Sequence, residues 1–124
     1  MRPKNPTLTP QELEIMKIVW ERDPSTVRDV YEALRARRKV AYTTVMTMMN
    51  ILEQKGFLKK RRAERAFLYR PARPRQQVIR AMVREFVDRV FNGSAKPLLV
   101  HLIQDEPLSE KELREIARMI QEGR

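Results

Sequence analysis

The chain has 124 residues, 42% of them hydrophobic, which suits one small domain or one small domain with an appendage. It has no cysteine and one histidine, so disulfides, a zinc cluster and a Ser-His-Asp triad are not expected, and neither is a metal or cofactor. No apolar run is long enough to span a bilayer and no secretory signal is recognisable, so we expect a soluble, cytoplasmic protein without membrane insertion.

The net charge of +10 is unevenly distributed. Residues 1–73 hold 17 Lys and Arg against 8 Asp and Glu, a net of +9, whereas residues 74–124 hold 9 against 8, a net of +1. A positive field confined to one part of a chain is typical of nucleic-acid binding. We therefore expect the N-terminal part to contact nucleic acid.

Two short helices are predicted at the start of this part. Thr9-Pro10-Gln11-Glu12 has the pattern of a helix start with a capping box, and this helix should end near Arg22-Asp23-Pro24. Ser25 is expected to cap a second helix that runs from Thr26 to about Arg37. Both helices carry apolar residues at helical spacing, so they should share one core.

A third helix, from about Tyr42 to Lys55, is predicted to be a DNA-recognition helix. Val45, Met49 and Leu52 share one apolar face, and Gly56 suits the left-handed position that ends a helix. The opposite face is polar but uncharged, unlike an ordinary solvated face, and carries Thr43, Thr47, Asn50 and Gln54. Such a face can offer hydrogen bonds to base edges in a major groove about 12 Å wide.

A two-stranded wing should follow this helix. Its expected core-facing residues are Phe57, Leu58, Phe67 and Tyr69. Its cations outnumber the single Glu64 and are Lys59, Lys60, Arg61, Arg62, Arg65 and Arg70. They could simply protect a strand edge, but their number favours phosphate contact.

These elements predict a mostly α fold with a small β wing, a winged helix-turn-helix over residues 1–73. The residues expected to face base edges are Thr43, Met46, Thr47 and Asn50, with Tyr42 and Thr44 nearer the DNA backbone. The residues expected to bind phosphates are Lys60, Arg61, Arg62 and Arg65.

Residues 74–124 should form a three-helix dimerisation domain. A helix is predicted from about Arg75 to Asn92, an apolar segment from Leu98 to Ile103, and a last helix after a capping box at Ser109. Three short helices make a poor core alone, so they should pair with a second copy, or alternatively pack back on the winged helix. The expected dimerisation residues are Ile79, Met82, Phe86, Val90, Leu98, Leu99, Leu102, Ile116 and Ile120.

The chain resembles the penicillinase-repressor (BlaI/MecI) family of bacterial transcriptional repressors. The resemblance rests on Leu8-Thr9-x-x-Glu12-x-x-x-Met16-x-x-Val19-Trp20, on Tyr42-Thr43-Thr44-Val45 and on Leu52-x-x-Lys55-Gly56-Phe57-Leu58. It implies a homodimer held by the C-terminal helices that represses an operon through a palindromic operator. It also implies release when a membrane sensor-protease system leads to cleavage in the C-terminal domain.

Two departures from the family pattern matter, and one feature of some relatives is missing. Met46 stands where some members carry a basic residue, so the operator sequence cannot be transferred. The best-known members are cleaved between Asn and Phe, and the matching pair here is His101-Leu102, where His101 could instead be a satisfied interface residue. The copper-responsive relatives use a C-terminal Cys-x-Cys pair, which this chain lacks, so direct metal sensing of that kind is not expected.

Two other classes of function would fit parts of the sequence. A winged helix can serve as a protein-protein interaction module, and salt-dependent duplex binding would separate that role from DNA binding. A metal-dependent nuclease would need clustered carboxylates, and the nearest candidates are Glu12 with Glu14 and Asp105 with Glu106. Acidic residues are expected at helix starts in any case, so we do not expect an enzyme.

Overall fold

The computed structural model describes residues 7–123. Within this range the elements are α1 (Pro10–Glu21), α2 (Val27–Arg35), α3 (Tyr42–Gln54), β1 (Leu58–Arg62), β2 (Phe67–Pro71), α4 (Arg75–Phe91), α5 (Ala95–Asp105) and α6 (Glu110–Glu122). β1 and β2 form an antiparallel two-stranded sheet. The predicted winged helix-turn-helix followed by three helices is confirmed.

The start of α1 has the predicted capping box. Glu12 donates its backbone N–H to the Thr9 hydroxyl at 3.1 Å, and the Thr9 N–H donates to Glu12 Oε1 at 2.9 Å. Pro10 occupies the first helical position, where its missing N–H costs nothing. Local chemistry alone therefore explains where this helix begins.

Ser25 does not cap α2, which corrects the sequence prediction. The cap is Thr26, whose hydroxyl accepts the Asp29 N–H while Asp29 accepts the Thr26 N–H, each at 3.0 Å. Ser25 is fully buried and pairs with β2, exchanging both backbone hydrogen bonds with Tyr69 at 2.9 and 2.7 Å. Local chemistry would allow Ser25 to cap a helix, but its pairing with a strand that is distant in the sequence places it elsewhere.

α3 lies at the centre of the hydrophobic core of the winged helix-turn-helix. Val45, Met49 and Leu52 are completely buried, against Ile15, Met16 and Val19 of α1 and Val30 and Leu34 of α2. Gly56 has a φ of +89°, so it ends α3 in the left-handed region as predicted. The polar face of α3 is consequently turned away from the core.

Side chains along each strand of the wing alternate between the two faces of the sheet. Lys60 pairs with Tyr69 and Arg62 with Phe67, whereas Arg61 pairs with Leu68. Directly paired residues of an antiparallel sheet share a face. Phe57, Leu58 and Tyr69 are buried as expected, but Phe67 is 38% exposed, because it lies at the tip of the hairpin beyond the reach of the helical core.

The chain divides into two compact units within α4, between Met82 and Val83. Val78 is buried in the core of the first unit and Met82 packs against that core. The first turns of α4 therefore complete the winged helix, although the predicted domain boundary at residues 73 and 74 precedes α4.

The second unit contains the rest of α4 with α5 and α6. Phe91 is 6.0 Å from both Phe86 and His101, measured between ring centroids, and Ser109 forms the predicted capping box with Glu112. Its large apolar side chains are mostly exposed, among them Val83, Phe86, Val90, Leu99, Leu102, Ile116, Met119 and Ile120.

None of the helices within residues 7–123 has the length and apolar character needed to cross a membrane.

Candidate nucleic-acid interface

A cleft of about 520 Å³ lies between α3, the start of α2 and the wing. Its lining combines hydrogen-bonding groups, cations and aromatic rings, namely Thr26, Val27, Arg28, Tyr42, Met46, Asn50, Lys60, Arg65, Ala66, Phe67 and Tyr69. The fold thus brings five of the sequence-predicted site residues together in one place.

α3 contributes one row of side chains to this cleft. Tyr42, Met46 and Asn50 recur at four-residue steps, so they lie one above another along the helix. Thr43 and Thr47 lie on the adjacent exposed stripe outside the cleft, and Thr44 is exposed further round the helix. The predicted base-facing residues therefore form two neighbouring stripes on the exposed side of α3.

The wing contributes cations from the face that it turns to the cleft. We call this the cleft face, formed by Leu58, Lys60, Arg62, Phe67 and Tyr69. The centroid of the exposed Phe67 ring lies 4.6 Å from Lys60 Nζ and 5.6 Å from the Arg62 guanidinium carbon. These cation–π contacts hold both cations on the cleft face, and Lys60 also lines the cleft itself.

The opposite, outer face carries Lys59, Arg61, Leu68 and Arg70. Arg61 is thereby separated from the other predicted phosphate ligands. Arg70 Nε donates to Asp23 Oδ1 at 3.0 Å, so its charge is already engaged within the fold.

Arg28 is a candidate contact that the sequence analysis missed. Its guanidinium carbon lies 5.5 Å from the Tyr42 ring centroid, and Tyr42 in turn packs edge-on against Tyr31 at 5.4 Å. α2 and α3 thus present Arg28 and Tyr42 at the same end of the cleft. No signal in the sequence could have shown this, because the contact depends on how the two helices cross.

Asn50 is held by the wing. It is half-buried, and the Tyr69 hydroxyl donates a hydrogen bond to its Oδ1 at 3.2 Å. Burial, with smaller contributions from Glu53 and Tyr42, raises the pKa of Tyr69, so this hydroxyl keeps its proton at neutral pH.

A recognition helix with an exposed polar face beside a basic two-stranded wing defines the winged-helix class of nucleic-acid-binding proteins.

Across residues 7–123, no three His, Cys, Asp or Glu side chains come close enough together to hold a metal ion.

Sequence similarity identifies the family within this class. The penicillinase repressor family model matches residues 8–122, so the chain belongs to the penicillinase repressor family. It is 39% identical over 95 residues to the transcriptional regulator BlaI of Mycobacterium tuberculosis, covering 75% of this chain and 69% of that protein. It is 26% identical over 119 residues to the penicillinase repressor of Bacillus licheniformis, covering 96% of this chain and 93% of that protein.

Two solved structures share the fold of the first unit. The DNA-binding domain of the repressor BlaI matches with a TM-score of 0.53 and 28% identity, over 60% of this chain and 90% of that one. The Bacillus licheniformis BlaI monomeric form in complex with the blaP half-operator matches with a TM-score of 0.52 and 29% identity, over 59% and 89%. The chain is a winged-helix transcriptional repressor and not an enzyme.

Proposed function

We propose that this DNA-binding transcriptional repressor binds a palindromic operator as a homodimer and is released by cleavage in its C-terminal unit. The observation that carries the proposal is the cleft, where the polar row of α3 and the cations of the wing border one surface. A protein that reads DNA needs both, since phosphate contacts set its position and base contacts set its specificity.

Each protomer would place α3 in the major groove. Thr43, Met46, Thr47 and Asn50 would meet base edges, and Tyr42 and Thr44 would lie nearer the backbone. Lys60, Arg61, Arg62 and Arg65 would bind phosphates, with Arg28 as an additional ligand beside Tyr42. The relative solved on a half-operator supports this placement, because its fold matches the first unit.

A second copy of the chain would cover the apolar side chains of the second unit. Leu99 and Leu102 are each 55% exposed and Ile120 is 63% exposed, an apolar surface that monomeric proteins seldom leave open. The proposed interface residues in that unit are Phe86, Val90, Leu98, Leu99, Leu102, Ile116 and Ile120. Two residues of α4 in the first unit would join them, Ile79 and the part of Met82 that the core of that unit leaves free. A two-fold dimer would match the symmetry of a palindromic operator.

Release would follow cleavage near His101-Leu102 in α5, brought about by a membrane sensor-protease system. His101 and Leu102 are both exposed in the protomer, and the ring of His101 rests against Phe91. Cutting α5 would remove apolar residues from the proposed interface. The protein would act in the cytoplasm, where operator DNA is found.

Duplex binding measured against salt concentration tests the DNA-binding role. Four wing cations that neutralise four phosphates would contribute about −3.6 per protomer to the slope of log K against log salt, at about −0.9 for each phosphate. Fluorescence anisotropy of a labelled random-sequence duplex between low and high salt would give this slope. A slope near zero would instead favour the protein-protein interaction module.

A further inference from the structure

Tyr69 joins the wing to the recognition helix through one side-chain hydrogen bond. Its hydroxyl donates to Asn50 Oδ1 at 3.2 Å. Its backbone N–H and C=O are both bonded to Ser25, and only 2% of the residue is exposed. The sheet and the core therefore determine where this hydroxyl lies.

In this bond the oxygen of the Asn50 amide is directed to Tyr69 and the NH2 group lies on the other side. A carboxamide carries an accepting oxygen and a donating NH2 group on opposite sides of one carbon. With one of the two Oδ1 lone pairs engaged by Tyr69, the group left entirely free for a ligand in the cleft is the Nδ2 donor. Asn50 would then act chiefly as a hydrogen-bond donor, although a free asparagine can both donate and accept.

We propose that Tyr69 is a specificity-determining positioning residue that makes Asn50 select a base with a major-groove acceptor. Guanine offers N7 and O6, thymine offers O4 and adenine offers N7, whereas cytosine offers only the N4 amino donor. The usual two-bond contact of asparagine with adenine needs Oδ1 as an acceptor, so it is weakened here. Cytosine is therefore the base rejected at the Asn50 position, whereas guanine, thymine and, through N7 alone, adenine can accept from Nδ2.

This inference rests on the proposed DNA-binding function, and Tyr69→Phe tests it in the full chain. The substitution removes the hydroxyl and keeps the buried ring. With Oδ1 released, Asn50 can turn and accept from cytosine or adenine. We expect the discrimination against cytosine to fall by about 2- to 10-fold at one position of each half-site, the range of one ordinary hydrogen bond.

The measurement is selection of bound duplexes from a randomised double-stranded library, followed by comparison of the base frequencies at every position. Asn50→Ala identifies the position that Asn50 reads, and the change in Tyr69→Phe must fall there. In the double variant, Tyr69→Phe should add no further change. Tyr31→Phe removes a hydroxyl from a half-buried tyrosine outside this pair and should leave the frequencies as in the unaltered chain.

The outcomes distinguish a failure of this inference from a failure of the proposed DNA-binding function. If the unaltered chain selects no motif, the proposed function fails and the inference falls with it. If it selects a motif that Tyr69→Phe leaves unchanged, or if Tyr69→Phe weakens all duplexes equally, the hydroxyl has only a structural role and the inference alone is overturned. A change at a position that Asn50→Ala does not affect would overturn it as well.

Discussion

Glu12 connects the start of α1 to the end of α3. Its side chain is almost completely buried and receives Lys55 Nζ at 2.9 and 3.0 Å as well as the Thr9 N–H. Burial opposes ionisation, but the hydrogen bonds from Lys55 and Thr9 outweigh it and hold the pKa of Glu12 below its ordinary value of 4.5. The ionised carboxylate therefore stabilises the folded state.

Glu12→Gln should destabilise the first unit by about 1–3 kcal/mol at pH 7, because the nearly buried carboxylate is replaced by a neutral amide that bonds the partly exposed Lys55 ammonium less strongly. The folded-state pKa is lower than the unfolded one, so this stabilisation is present above about pH 4.5 and is lost as pH falls through the folded value. The difference between the two proteins should thus narrow on acidification. Urea unfolding at several pH values, followed by the fluorescence of the single Trp20, measures it.

Glu14→Gln is the matched control for this prediction. Glu14 lies on the same helix and pairs with Arg38 at 2.8 Å, but that pair is exposed to solvent. Its loss should cost less than the loss of the Glu12 charge. Equal effects of the two substitutions would contradict the role given to burial.

At the scale of elements, the wing separates its cations by face. Lys60 and Arg62 share the cleft face with Phe67, which holds them in place, whereas Arg61 and Arg70 lie on the outer face. Alternation along a strand, rather than neighbourhood in sequence, therefore decides which cations act together.

The double variant Lys60→Ala with Arg62→Ala should weaken binding to all duplexes similarly, because phosphates carry no base identity. The slope of log K against log salt should flatten by about 1.8 per protomer, at about 0.9 for each lost phosphate contact. Anisotropy titrations over a range of salt concentrations give both quantities.

Arg70→Ala provides a control on the same hairpin. Because Arg70 is already paired with Asp23, its removal should change the slope much less than the double variant does. An equally large effect would mean that the slope reports net charge and not specific contacts. Arg61→Ala, measured alone, shows whether the outer face also reaches a phosphate.

At the scale of the whole molecule, DNA affinity should depend on residues that need not touch DNA. Joining two winged helices in one dimer makes the second contact intramolecular, which can raise avidity by about 10²- to 10⁴-fold. The proposed dimer surface of the second unit would supply that connection.

Leu99→Asp should produce a folded monomer with operator affinity lower by about 10²- to 10⁴-fold. Leu99 is 55% exposed in the protomer, so a charge is tolerated there until a second copy would bury it without a partner. Sedimentation and titration of a selected duplex measure the two effects. A fragment ending at Met82, which retains the core residue Val78, should behave in the same way.

Gln104→Asp adds the same charge to a polar, exposed position of α5 and should leave the oligomeric state unchanged. If Leu99→Asp binds the selected duplex as tightly as the unaltered chain, dimerisation is not the source of affinity. Cleavage near His101-Leu102 could not then act by separating two protomers.

The sequence by itself determined the elements whose signals are local. The capping boxes at Thr9 and Ser109, the left-handed Gly56 and the apolar spacing of α3 each involve residues within a few positions of one another. Such signals involve only neighbouring residues, so they can be recognised without knowledge of the rest of the fold. The recognition helix, the wing and the concentration of positive charge could all be predicted for this reason.

The tertiary structure alone decided the contacts between residues that are distant in the chain. Ser25 pairs with Tyr69 instead of capping α2 as expected. Phe67 is exposed and not in the core, because the wing tip lies beyond the helices. The bond from Tyr69 to Asn50 and the position of Arg28 beside Tyr42 likewise depend on how elements pack. The spacing of apolar residues shows which face of a helix or strand is apolar. Which side chains of other elements pack against that face is determined only when the elements assemble.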